Sequence, residues 1–249
     1  RISRNFRGSR EIQAGAVAPV LRLGSFIAYT GMYVGIPFSS VLITQWNKSI
    51  FGLSVTFLAS IPMTAELLAT MLCSLLLLPV YRRMNLKLVF AVSTLISAAA
   101  NFLCFFASSP EQLIILRFCS GIGFAGIKYS LNTIVSLGSL TPENTTDNLA
   151  ALNAGLLGGI TCGGTLGAVI ASSINVHTSY LIAGVFIFAF AVAVLALSPW
   201  KLFRENSAES EKESSGSRFG ALSLVVKPSF IRYALLVAIP MNVGLMFVV

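Results

Sequence analysis

Three charged side chains lie deep inside apolar tracts of this sequence, and they are the residues best placed to do chemistry: Glu66, Arg117 and Lys128. A charge near the centre of a bilayer costs about 2.5–3.5 kcal/mol on insertion scales, so each needs a partner or a water-filled cavity. Arg117 and Lys128 are eleven residues apart on what reads as one helix. At ~100° per residue they share a face with Phe124 between them, and that face is expected to look into the protein. Counting along the helices at ~1.5 Å per residue puts Glu66 close to the midplane, Arg117 roughly 10 Å to the outer side and Lys128 roughly 6 Å to the inner side. Two readings of this trio stay open. In the structural one, Glu66 neutralises one cation and the other snorkels to the interface. In the functional one, the three form a coupled site: Arg117 or Lys128 binds an anionic group, while Glu66 takes up and releases a proton and exchanges cation partners between two states.

Other polar residues are weaker candidates. Ser25, Tyr29 and Tyr33 recur at four-residue steps, with Gly31 and Gly35 beside them and Pro37 expected to kink the helix. Tyr29 and Tyr33, together with Asn132, could line a substrate cavity, or could pack with one hydrogen bond each. Tyr129 adds polarity near Asn132, and Asn242 with Pro240 does so near the end of the chain. His177 is a lone histidine in an expected turn and reads as an exposed residue. Cys73, Cys104, Cys119 and Cys162 sit in apolar tracts without metal-ligand spacing and read as small buried hydrophobes. No metal site or cofactor is expected. Paired carboxylates at a helix-facing spacing, a phosphate-cradling glycine loop and a nucleophile beside a base are all missing, so an enzyme is not expected either.

The elements that must hold these residues follow from composition. The chain has 249 residues, 55% apolar and 10% charged, where soluble domains carry about a quarter charged residues. Its mean hydropathy is +0.83. No charge occurs between Arg22 and Lys48, from Leu88 to Pro110, or from Asn148 to Trp200. The last tract has 53 residues, which as one helix would extend roughly 80 Å across a ~30 Å hydrocarbon core. It must turn back, and the turn residues are Ser172, Ser173, Asn175, His177, Thr178 and Ser179. Six helices are therefore expected, roughly over 21 to 45, 53 to 80, 87 to 108, 111 to 138, 149 to 173 and 178 to 200, with a seventh starting near Ser229.

With the N-terminus in the cytoplasm, the inner side receives Arg1, Arg4, Arg7, Arg10, Arg22, Arg82, Arg83, Lys87, Lys201, Arg204, Lys212, Arg218, Lys227 and Arg232, and the outer side only Lys48. Fourteen against one sets the topology. It also excludes a seven-helix receptor, whose N-terminus lies outside. The net charge of +8 is thereby explained without a nucleic-acid partner. The organisation expected is a basic cytoplasmic lead-in over 1–20, a six-helix bundle over 21–200, a cytoplasmic linker over 201–228 containing NSAESEKESSGS, and the start of a second bundle over 229–249. Because the chain begins with Arg1 and stops inside MFVV, we read it as a piece of a longer one.

Three stretches carry a resemblance to the major facilitator superfamily. LIILRFCSGIGFAG resembles the family's fourth-helix motif through Leu113, Arg117, Gly121 and Gly123, with Ser120 in place of the usual Gln. YRRMNLKLV resembles the loop motif after helix two through Arg83 and Lys87. There Arg82 stands for the acidic residue, Leu78 for an earlier Gly, and Asn85 for the Gly of the turn, a position where Asn tolerates left-handed backbone. In helix five, Gly155, Gly159, Gly163 and Gly167 recur every four residues, leaving a bare face for close packing. That row, with Gly164 at the usual Pro and Ala168 at the final Gly, is similar to the fifth-helix motif of antiporter members.

The resemblance implies an all-α membrane protein, a six-helix transmembrane bundle of two inverted three-helix repeats plus a seventh transmembrane helix. It also implies a secondary active transporter working by alternating access, with a small-molecule substrate, proton coupling and a slight preference for antiport or efflux. A multi-pass monomer in the plasma membrane is expected, without nucleotide. The competing reading is a membrane sensor or signalling module that keeps the fold without transporting.

Overall fold

In lipid every backbone N–H and C=O has to be satisfied within its own segment, so apolar tracts of this length fold as helices. The computed structural model describes residues 2–50, 52–77, 80–81, 84–137 and 142–197. Its helices are α1 (Ile2–Gly35), α2 (Phe38–Trp46), α3 (Val55–Leu76), α4 (Leu86–Cys104), α5 (Pro110–Leu137), α6 (Pro142–Ser173) and α7 (Val176–Leu197), and no strand occurs among the described residues. Among the described residues six stretches are long and apolar enough to cross a membrane, the first being Leu21–Trp46, which joins the second half of α1 to α2. The expected linker and seventh helix, with Asn242 and Pro240, lie outside the described residues, as do Arg82 and Arg83.

Local chemistry fixes the ends. The first span breaks at Ile36 and Pro37, because Pro37 cannot supply an N–H to continue the helix. Ser54 caps α3, its hydroxyl accepting from the Phe57 N–H at 3.3 Å. α3 ends at Leu76, short of the expected 80, and α4 at Cys104, short of the expected 108. The turn after Cys104 tightens through Phe105 N–H to Phe102 O at 3.1 Å and Phe106 N–H to Leu103 O at 3.0 Å. α6 starts seven residues before the expected 149, with Pro142 in its first turn and Glu143 beside it, a favourable N-terminal pair. Asn85 corrects an expectation. Its φ is −62° rather than left-handed, and its side chain caps α4 by accepting from the Lys87 N–H at 3.0 Å. Asn replaces Gly here for its oxygen, not for its backbone freedom.

The helices pair in a repeating way. α1 packs on α6 and α7, α5 packs on α3 and α4, and α4 packs on α7. Exchanging the first three spans for the last three (α1 with α5, α3 with α6, α4 with α7) leaves this pattern unchanged. Three helices are an odd number, so the second set crosses the membrane in the opposite sense. The result is two inverted repeats interlocked through each other's second helix.

The glycine row of α6 lies on α1. Gly155 backs onto Arg22 and Ser25, and Gly167 onto Val34 and Phe38. A Cβ at Gly159 would fall 2.6 Å from the Phe26 carbonyl, and one at Gly163 would fall 2.6 Å from that of Thr30. Gly164, one residue off the row, faces nothing within 4 Å. Three apolar clusters fill the interior. One, around Leu21, Phe90, Leu131 and Phe190, lies towards one end of the bundle; a small one is formed by Met32, Ile36, Ala98 and Ile187; and one around Leu42, Ile43, Leu58 and Leu113 lies towards the other end.

Candidate functional site

The α3–α5 contact is built on Gly121. A Cβ there would run into the Glu66 carbonyl, and the Ala69 methyl group would be 2.9 Å away, so the two helices meet backbone to backbone at the level of Glu66. Thr70 ties them further, donating to the Glu66 carbonyl at 2.8 Å with the Gly121 carbonyl 3.1 Å away. On its other face α5 presents Gly123 to α4, where a Cβ would lie 2.6 Å from the Ser93 carbonyl. The glycines thus let α5 sit between two neighbours at close range.

Arg117 is one turn from Gly121, about 6 Å along the axis rather than the 10 Å offset expected from helix ends. Its side chain bridges that distance. Nη1 donates to Glu66 Oε2 at 3.2 Å, with both side chains almost wholly buried. The remaining Glu66 oxygen, Oε1, accepts from Ser120 Oγ at 2.9 Å. Nη2 of Arg117 donates to Asn101 Oδ1 at 3.1 Å, and Asn101 Nδ2 donates to Ser120 Oγ at 3.1 Å and to the Ser97 carbonyl at 2.8 Å. The guanidinium carbon sits 4.7 Å from the centre of the Tyr180 ring, whose hydroxyl donates to Ser39 Oγ at 3.0 Å. Residues of α2, α3, α4, α5 and α7 therefore meet around one charge pair.

Lys128 is not part of this assembly. It lies seven residues from Gly121 in the opposite direction, about 10 Å along α5, and it is exposed. The expectation that the Arg117–Lys128 face looks inward throughout is corrected: it passes from the interior at Arg117, through half-buried Phe124, to the surface of the bundle at Lys128. Asn132, one turn on, is exposed too and donates to the Lys128 carbonyl at 3.0 Å. Tyr29 is buried edge-on against Phe124, with ring centroids 5.2 Å apart, and Tyr33 beside it is half-buried. Ser25 spends its hydroxyl on the Leu21 carbonyl of its own helix at 2.7 Å. His177 is half-buried rather than exposed, its Nδ1 lying 3.1 Å from the Phe105 carbonyl. Of the cysteines, Cys104 is buried, Cys73 and Cys119 are partly so, and Cys162 is exposed, a correction for that residue.

Asn101, Ser120, Tyr180 and Ser39 went unrecognised as site residues in the sequence. A signal existed for one of them: Ser93, Ser97 and Asn101 form a polar line at four-residue spacing in α4, with Thr94 beside it, and all are buried. Nothing comparable marks Tyr180, which sits just after a turn.

Among the described residues, six membrane-length helices form two inverted, interlocked repeats with charge buried where they meet, the architecture of an integral multi-pass membrane protein. Residues 21–249 match the Major Facilitator Superfamily, and the chain belongs to that family of membrane transporters. No curated protein matches it.

Proposed function

We propose that this chain belongs to a proton-coupled secondary transporter of small molecules, with Glu66 as the group that carries the proton. The observation that bears the weight of this reading is the buried Glu66–Arg117 pair. With Glu66 ionised, the pair fastens α3 to α5 across the two repeats. A proton on Glu66 removes one charge, weakens that fastening and lets the helices shift, which is the link between proton and conformation that alternating access needs. Lys128 and Asn132, exposed on α5, with Tyr33 on α1, are read as the solute-facing surface. The lysine suits an anionic group, and the buried ring of Tyr29 supports the surface from behind. Antiport is favoured slightly by the glycine row of α6. The charge bias supports a cytoplasmic N-terminus, and a monomer in the plasma membrane is the working form.

Reconstitution of the full protein in vesicles, screened with a panel of organic anions, cations and neutral solutes under an imposed pH gradient, tests this reading. Solute flux should follow the gradient in the wild type. Glu66→Gln should insert normally and lose the dependence on pH. Unchanged pH dependence in well-inserted Glu66→Gln would remove Glu66 from the mechanism, and absence of flux for every solute would favour the sensor reading.

A further inference from the structure

A proton on Glu66 creates a problem for Arg117. The guanidinium does not deprotonate, so neutralising the carboxyl leaves a full positive charge sealed in the bundle, with the Arg117 side chain 0% exposed. A lone buried cation is among the costliest states a protein interior can hold. Something other than Glu66 must then receive it.

We propose that Asn101 and the ring of Tyr180 form a second seat that holds the Arg117 charge while Glu66 is protonated. The inference rests on Glu66 taking up a proton, as proposed above. Both groups are already in place. Asn101 Oδ1 accepts from Nη2 at 3.1 Å, and its amide cannot flip without loss, because Nδ2 is committed to the Ser97 carbonyl and to Ser120 Oγ. The Tyr180 ring lies 4.7 Å below the guanidinium carbon and is tethered through its hydroxyl to Ser39. While Glu66 is ionised, its negative charge offsets part of the attraction between cation and ring. Once Glu66 is neutral the ring meets the whole charge, so the cation–π contact strengthens at the step where it is needed. The seat therefore makes protonation of Glu66 easier.

The titratable groups around Glu66 are Arg117 on α5, Cys104 on α4, Tyr180 on α7 and Tyr33 on α1. Among these groups only Glu66 is a carboxylic acid. Its titration can be followed in the purified full protein by the infrared carbonyl stretch of the protonated acid, from about pH 4 to about pH 10. The band is assigned by its loss in Glu66→Gln.

Phenylalanine at position 180 should leave the midpoint nearly unchanged. Phenylalanines carrying one, two and three ring fluorines at the same position, nearly identical in shape, should lower it stepwise by about one pH unit in total, as the negative face of the ring is withdrawn. Asn101→Leu should lower it further. Because the fluorinated rings preserve packing, they separate charge from shape even where Tyr180→Leu fails to fold. A wild-type midpoint that moves with neither the fluorines nor Asn101→Leu would overturn the seat while leaving Glu66 as the proton carrier. Failure to detect any Glu66 titration in the wild type would overturn the proton-carrier reading and the seat together.

Discussion

Glu66 is held by two donors of different kinds, and each predicts its own defect. Arg117 brings charge; Ser120 brings a hydroxyl that accepts from Asn101 while donating to Glu66. Ser120→Ala leaves Oε1 buried without its donor and should lower unfolding stability by about 1.5–3 kcal/mol, the range for hydrogen bonds to charged groups. Ser120→Thr should recover most of the loss if its methyl group is accommodated. Titration of unfolding with a denaturing detergent, followed by circular dichroism, measures both. If Ser120→Ala matches the wild type, the hydroxyl contributes nothing to holding the carboxyl. Glu66 and Arg117 stood out in the sequence because charge in an apolar tract is conspicuous. Asn101 and Ser120 did not, because Asn and Ser in a helix can hydrogen-bond to their own preceding turn as well as to a neighbour, and Tyr180 did not, because a tyrosine near the end of a span is ordinary at a membrane interface.

Among the elements, α6 is the most informative, because its glycines divide by position. Gly159 and Gly163 touch α1, whereas Gly164 faces open space. Gly159→Leu or Gly163→Leu should drive α6 off α1 and sharply reduce the yield of monodisperse protein in size-exclusion chromatography. Gly164→Ala should be neutral or slightly stabilising, since a methyl meets nothing there and glycine is a poor helix former. Ile160→Leu, a volume-conserving change at a buried site, should cost less than about 1.5 kcal/mol. Equal tolerance at positions 159 and 164 would show that the glycine face is not an interface. A four-residue glycine spacing announces that some backbone approaches; that the backbone is α1 was beyond the sequence, since any of five other spans could have supplied it.

For the whole molecule, the charge bias and the fold make one joint statement about sidedness. Ser109 and the start of α7 at His177 lie at the end of the bundle that holds Trp46, and Asn85 at the other: the rings of Trp46 and His177 have their centroids 6.1 Å apart. In a cysteine-free background, single cysteines at Ser109 and His177 should react with an impermeant thiol reagent added to intact cells, while those at Asn85 and Ser214 should react only after permeabilisation. The opposite labelling would invert the protein in its membrane.

The sequence by itself determined the six spans found among the described residues, most of their boundaries, and the presence of unavoidable intramembrane charge, because lipid forbids unsatisfied backbone and penalises every ion. Those constraints act on each segment separately and can be read one segment at a time. Which cation Glu66 would meet was a different kind of question. Both Arg117 and Lys128 were compatible with distance along the helices, and the choice fell to Arg117 because Gly121, four residues from it and seven from Lys128, is where α3 and α5 touch. Close approach of two helices is a property of neither alone. Tertiary packing therefore decided that one charge is sealed among five elements and the other left at the surface.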